Sequence, residues 1–203
     1  MLRHVRSAVT MAAAIVLWIA LCPTRAEAHL NSTGLGPMYD GALHLLLSPE
    51  DLVPAFALAL LAGLRGARYG RVALFVLPAA WFVGGLAGTV VGHGNGTAVA
   101  VASFLLLGVL VAADVRLSLA LLTAITVSLG LVHGFVNGAG MGQLDVGAQA
   151  LLGLGVVLFV LTALVVAFVV QLRRPWSRIA VRVLGSWIAA SGLLMLGWAL
   201  RPT

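Results

Sequence analysis

After Gly36-Pro37 the chain runs through six apolar segments, near 39–64, 71–91, 97–113, 117–136, 147–171 and 179–200, separated by short loops. That succession leaves few folds open. A helix needs about 20 apolar residues to cross a bilayer, and inside the bilayer every backbone N–H and C=O must be paired within the protein. The expectation is therefore an all-α integral membrane domain over residues 29–203 with six transmembrane helices. With 62% of its residues apolar and 9% charged, the 203-residue chain has no room for a second, soluble domain.

The first 28 residues have the make-up of a cleavable signal peptide. Arg3 and Arg6 form a basic start, Ala8 to Leu21 an apolar stretch, and Ala26-Glu27-Ala28 an A-x-A cleavage site. An uncleaved first helix is the alternative. Cys22, the single cysteine, lies before the cut, so neither a disulfide framework nor a multi-cysteine metal site is available. Cleavage would make His29 the new N-terminus, where its α-amine and imidazole form a chelating pair.

The net charge of +6 would suggest a nucleic-acid partner in a soluble protein. Here the basic residues are twelve arginines and no lysines, and they sit mostly in short loops. Arg65, Arg68 and Arg71 follow segment one, Arg116 follows segment three, and Arg173, Arg174, Arg178 and Arg182 follow segment five. Only Arg201 lies on the other side. By the positive-inside rule those loops face the cytoplasm and the mature N-terminus faces outward, which agrees with a signal peptide.

Ionisable groups at membrane depth are costly and mark a site by default. They concentrate between His29 and Gly63. Asp40, His44 and Asp51 are spaced to fall within about 40° of one another on a helix, and Glu50 stands beside them. Segment one is long enough to span only if it includes these residues, and Pro49 and Pro54 predict that the helix breaks near Pro49. On the expected topology His93 (VVGHGNGT) and His133 (GLVHGFVNG) lie toward the same outer leaflet, with Asn137 one turn beyond His133. Each histidine taken singly is as well explained by a buried hydrogen bond as by a ligand role. As a set, imidazoles with carboxylates and no thiolate suit a borderline divalent ion such as Ni²⁺, Co²⁺ or Zn²⁺. The candidate ligands are His29, Asp40, His44, Glu50, Asp51, His93, His133 and Asn137.

Other features have plainer explanations. Gly84, Gly88 and Gly92 repeat every four residues, a small-residue face for helix packing. Thr123, Thr126, Gly130, His133 and Asn137 make a similar stripe. Asp114 beside Arg116 predicts an interfacial charge pair, and Asp145 an exposed outer loop at 137–147. Trp176, Trp187 and Trp198 suit interfacial anchoring or packing. There is no internal repeat and no G-x-x-x-x-G-K-[ST] phosphate loop, so the chain itself would not hydrolyse ATP.

The layout of an A-x-A signal peptide before histidine, then G-x-x-H and an acidic pair opening the first span, resembles the HupE/UreJ family. Residues 41–51, GALHLLLSPED, are similar to that family's H-P-x-x-G-x-D-H segment, and His133-Gly134-Phe135-Val136-Asn137-Gly138 to its later histidine–glycine element. In that register the family's aspartate falls on Glu50, its second histidine on Asp51 and its proline on Leu45, so this segment is more acidic than the pattern. The resemblance implies a bacterial inner-membrane permease for nickel or cobalt. The metal would be cargo rather than a tightly bound cofactor, and the implied partners are the lipid bilayer and, in some members, hydrogenase or urease maturation machinery. A homo-oligomer is compatible with this; nucleic acid is not expected. Three rivals remain open from the residues alone. One is an accessory protein whose polar groups are structural. Another is a b-haem protein using His44, His93 or His133 as axial ligands. The third is an intramembrane hydrolase, for which no G-x-S-x-G pattern is present.

Overall fold

The computed structural model describes residues 33–142, 147–172 and 174–201. The signal peptide expected over 1–28, with His29, Asp145 and Arg173, lies outside the described residues. Those described form seven helices: α1 (Pro37–Leu47), α2 (Pro49–Arg65), α3 (Ala67–Val91), α4 (Gly96–Ala112), α5 (Leu119–Gly142), α6 (Gly147–Val170) and α7 (Pro175–Ala199).

The break expected near Pro49 is present. Proline disfavours the helical conformation in the residue before it, and Ser48 is extended (φ −103°, ψ 91°). Pro49 then opens α2, where its missing N–H costs nothing. The axes of α1 and α2 differ by 73°. Pro54 lies within α2 without ending it.

Helix α2 is the axis of the bundle and packs against every other helix. Ala55, Ala57, Leu58, Ala59, Leu61 and Ala62 are fully buried, and between its charged ends, from Leu52 to Leu64, this helix is apolar all round, as a core helix must be. One group of buried side chains surrounds its first half, with Leu58, Trp81, Leu107 and Leu154. A second, with Leu61, Val111, Leu122 and Val169, surrounds its last turns.

Around α2 the helices pair through small residues. In α3 and α5 the backbones touch: a methyl added at Gly84 would meet Leu131 O at 2.2 Å, and one at Gly138 would meet Gly85 O at 1.9 Å. Helix α1 lies equally close to α6 at Gly41 and Gly153, and α4 to α7 at Gly108 and Gly185. The glycine face expected on α3 is thus correct for Gly84 and Gly88. Gly92 does not belong to it: it is the left-handed cap of α3 (φ 73°), with no atom within 4 Å of an added methyl. Its four-residue spacing coincides with the helix end.

Two other expectations change. Segment four, read as ending at 136, continues as α5 to Gly142, because Gly138 there packs against α3 instead of ending the helix. Asp114 does not pair with Arg116. Its carboxylate accepts hydrogen bonds from Arg65 and Arg178, brought to it by the ends of α2 and α7.

Four helices, α3, α5, α6 and α7, are long and apolar enough to cross a membrane, and the bent α1–α2 pair makes a fifth candidate. Helix α4, with 17 residues, is about 25 Å long, short of the roughly 30 Å hydrocarbon core. Large apolar side chains project outward from α3 (Phe75, Val83), α6 (Val156, Phe159) and α7 (Trp187, Leu194). This is the make-up of a multi-pass membrane protein.

Candidate functional site

Five helices converge on one carboxylate. Asp51 is the third residue of α2, where the helix N-terminus favours negative charge, and it is 3% exposed. Its Oδ1 accepts from His133 Nδ1 at 2.7 Å, and its Oδ2 from Asn137 Nδ2 at 2.8 Å. His133 and Asn137, four residues apart, present both donors from one face of α5. A charged side chain in mid-bilayer is disfavoured by roughly 2.5–3.5 kcal/mol on insertion scales. Two hydrogen bonds to an ionised group, at about 1.5–3 kcal/mol each, are enough to offset that.

The groups behind these two donors are held as specifically. Trp81 Nε1 on α3 donates to Asn137 Oδ1 at 3.2 Å, which leaves the Asn137 amide nitrogen for Asp51. The Trp81 ring lies against His133, with centroids 5.1 Å apart and planes tilted by 34°. Glycines make this approach possible: a methyl on Gly134, beside His133, would meet Trp81 O at 2.0 Å.

From α4, Ser103 Oγ lies 2.8 Å from His133 Nε2 and 2.7 Å from Val99 O. The hydroxyl has one proton to give. If it goes to Val99 O, His133 carries protons on both ring nitrogens. If it goes to Nε2, the single ring proton sits on Nδ1. With Asp51 ionised, Nδ1 holds a proton in either arrangement.

His44, from α1, approaches across the break. Its Nε2 is 3.7 Å from Asp51 Oδ2 and its Nδ1 is 3.5 Å from Ser48 Oγ. Both are too long for firm hydrogen bonds, so His44 is the loosest member of the group.

Of the expected ligands, His44, Asp51, His133 and Asn137 therefore come together, and three others do not. Asp40 is buried but bound locally, accepting from Thr33 N and Thr33 Oγ1 at 2.6 Å each. The bend at Ser48 turns His44 toward Asp51 and leaves Asp40, one turn earlier, outside the group. Glu50 is exposed. His93 is exposed beyond the end of α3, with Nδ1 3.0 Å from Val91 O. No three His, Cys, Asp or Glu side chains among the described residues form a ready cage for a metal ion.

Trp81 and Ser103 were absent from the sequence expectations. Both carry a polar tip inside an otherwise apolar segment, where such a tip requires a partner. Nothing in their spacing identifies that partner.

The family model described as HupE / UreJ protein matches residues 17–195. No curated protein and no solved structure matches the chain. The family match runs across both elements that meet at the buried carboxylate, the broken α1–α2 segment and the histidine–glycine stretch of α5. The chain belongs to the HupE / UreJ protein family.

Proposed function

We propose that the protein is a six-span inner-membrane permease for a divalent transition metal, Ni²⁺ or Co²⁺, with its arginine loops in the cytoplasm. The ion binds at His44, Asp51 and His133, with Asn137 orienting the carboxylate. The observation that carries this reading is the buried Asp51 carboxylate, approached by His44 of α1 and bonded by His133 and Asn137 of α5, beside a broken span. The family is associated with nickel or cobalt uptake or with metalloenzyme maturation, and the donor set suits those ions. His29 serves as an outer capture group at the mature N-terminus.

The spacing is compatible with binding after a small adjustment. Two ligand atoms each about 2.1 Å from a tetrahedral ion lie roughly 3.4 Å apart, against 3.7 Å between His44 Nε2 and Asp51 Oδ2. An ion bridging Asp51 and His133 Nδ1 takes the place of the proton between them. Binding then releases a proton, and uptake falls as the outside is acidified. Inward movement is favoured by the membrane potential, by about 4.6 kcal/mol per 100 mV for a divalent ion.

One observation favours a second reading, an accessory protein with a purely structural network: Asp51, His133 and Asn137 already satisfy one another through Trp81 and Ser103. His44 separates the two. Its contacts are too long to contribute much stability, so a structural network tolerates His44→Ala, whereas a binding site does not. The test is ⁶³Ni²⁺ and ⁵⁷Co²⁺ uptake by cells expressing wild type, His44→Ala or His133→Ala at matched membrane levels. Loss of uptake in His44→Ala with normal folding supports the permease. Absence of uptake by the wild type for every divalent metal tried moves the assignment to the accessory reading.

A further inference from the structure

The arginine-bearing end of the bundle holds a second charge cluster, about 21 Å along α2 from Asp51. Asp114, just past α4, has left-handed backbone geometry (φ 49°). Its carboxylate accepts from Arg65 Nη2 of α2, and from Arg178 Nη2 of α7 at 2.9 Å through Oδ2 and 3.3 Å through Oδ1. Arg182, one turn along α7, donates from Nε to Ala112 O at 2.9 Å, closing the end of α4. Arg116 is exposed in the α4–α5 loop, and its positive field reaches Arg65, as that of Arg178 does.

Among the described residues, these four guanidinium groups have a single carboxylate between them. Arg65 is the most constrained. Its side chain is 9% exposed, and its buried Nε donates to no acceptor among the described residues. Arg178, Arg182 and Arg116 leave the cluster open to the outside. Trp176, 62% exposed, lies two residues before Arg178, and tryptophan favours the headgroup level of a bilayer.

We propose that Arg65, Arg116, Arg178 and Arg182 form a binding site for a phosphate anion, in the form of an anionic phospholipid headgroup. A phosphodiester offers two unesterified oxygens that match the planar fork of arginine. Basic pockets between helices at the cytoplasmic face are suited to such headgroups. Asp114 cancels part of the repulsion between Arg65 and Arg178 and holds both in place, while the remaining positive charge is left for the ligand. The ligand ties the ends of α2, α4 and α7 together at the level of the bilayer surface. This site does not depend on the metal reading.

The test uses the full chain purified in a neutral detergent, with bound lipid counted by native mass spectrometry and melting followed against added ligand. The ligands are phosphatidylglycerol, phosphatidylcholine and inorganic phosphate. Phosphatidylglycerol is expected to bind and to raise the melting temperature, and phosphatidylcholine to do neither. Arg178→Ala and Arg182→Ala, both at exposed positions, are each expected to weaken phosphatidylglycerol binding roughly fivefold. Their melting temperature without lipid indicates whether they fold. Arg201→Ala, at the opposite end, leaves binding unchanged. Stabilisation by inorganic phosphate equal to that by phosphatidylglycerol keeps the phosphate site and assigns it to free phosphate. Equal retention of both lipids by the wild type, or undiminished phosphatidylglycerol binding by the Arg178→Ala, Arg182→Ala double variant, overturns the proposal.

Discussion

Asp51 accepts one hydrogen bond on each carboxylate oxygen, from His133 and from Asn137, and the groups behind these donors differ, so substitutions around it have graded and distinct consequences. His133→Ala strips the carboxylate of its closest donor while leaving the charge buried, and breaking such a pair costs about 3–5 kcal/mol. Trp81→Phe retains a ring against His133 but removes the bond to Asn137, an expected loss of about 1 kcal/mol. Ser103→Ala removes both contacts of the hydroxyl, to His133 Nε2 and to Val99 O, with a loss of about 1–3 kcal/mol. Glu50→Gln and His93→Ala alter exposed residues and stay within about 0.5 kcal/mol of wild type. Reversible unfolding in mixed micelles measures all five, and a His133→Ala variant as stable as His93→Ala would remove the network from the account. The sequence marked Asp51, His133 and Asn137 as polar groups in apolar segments. It could not rank Asp51 above its neighbour Glu50, because one residue of register on a helix turns a side chain by about 100°, here from an exposed position to the core.

Helix α5 places two site residues only because its glycines let it lie against α3. Methyl groups at Gly134 and Gly138 would meet the carbonyl oxygens of Trp81 and Gly85 at 2.0 Å and 1.9 Å. Backbone atoms cannot rotate away, so Gly134→Ala and Gly138→Ala are each expected to destabilise by about 1–3 kcal/mol or more. Both should also loosen Trp81 from His133, read as a change in tryptophan fluorescence. Gly155→Ala, on α6 with nothing within 4 Å of the added methyl, is the control and is expected to be neutral or slightly stabilising. The helical segments and the break at Ser48-Pro49 were legible because apolar length and proline act locally. The pairing of α3 with α5 was half legible: the Gly84 and Gly88 spacing indicated a close-packing face without naming its partner. Gly130 belongs to the small and polar stripe legible on α5, whereas Gly134 and Gly138, which carry the close approach to Trp81 and Gly85, give no local sign of the partner they meet.

At the scale of the whole molecule, the buried carboxylate and the arginine cluster occupy opposite ends of α2, the helix in contact with all the others. The arginine placement was visible in the sequence. The convergence of five helices on Asp51 was not, since it depends on contacts between residues up to 86 positions apart. The orientation gives a direct prediction. In a Cys22→Ser background, a cysteine at His93, exposed between α3 and α4, should react with an impermeant maleimide in intact spheroplasts. A cysteine at Arg68, near the start of α3, should react only after lysis; the reverse pattern would invert the topology. The most direct measurement of the central claim is ⁶³Ni²⁺ flux into proteoliposomes containing wild type, Asp51→Asn or Glu50→Gln. Asp51→Asn retains the shape and removes the charge; its amide oxygen can still accept from Asn137 Nδ2, provided its NH2 faces His133 Nδ1 and the ring proton moves to Nε2, so folding must be checked alongside. Metal binding at the buried carboxylate requires flux at background in Asp51→Asn and at the wild-type level in Glu50→Gln. A folded Asp51→Asn protein that carries Ni²⁺ at the wild-type rate would contradict it.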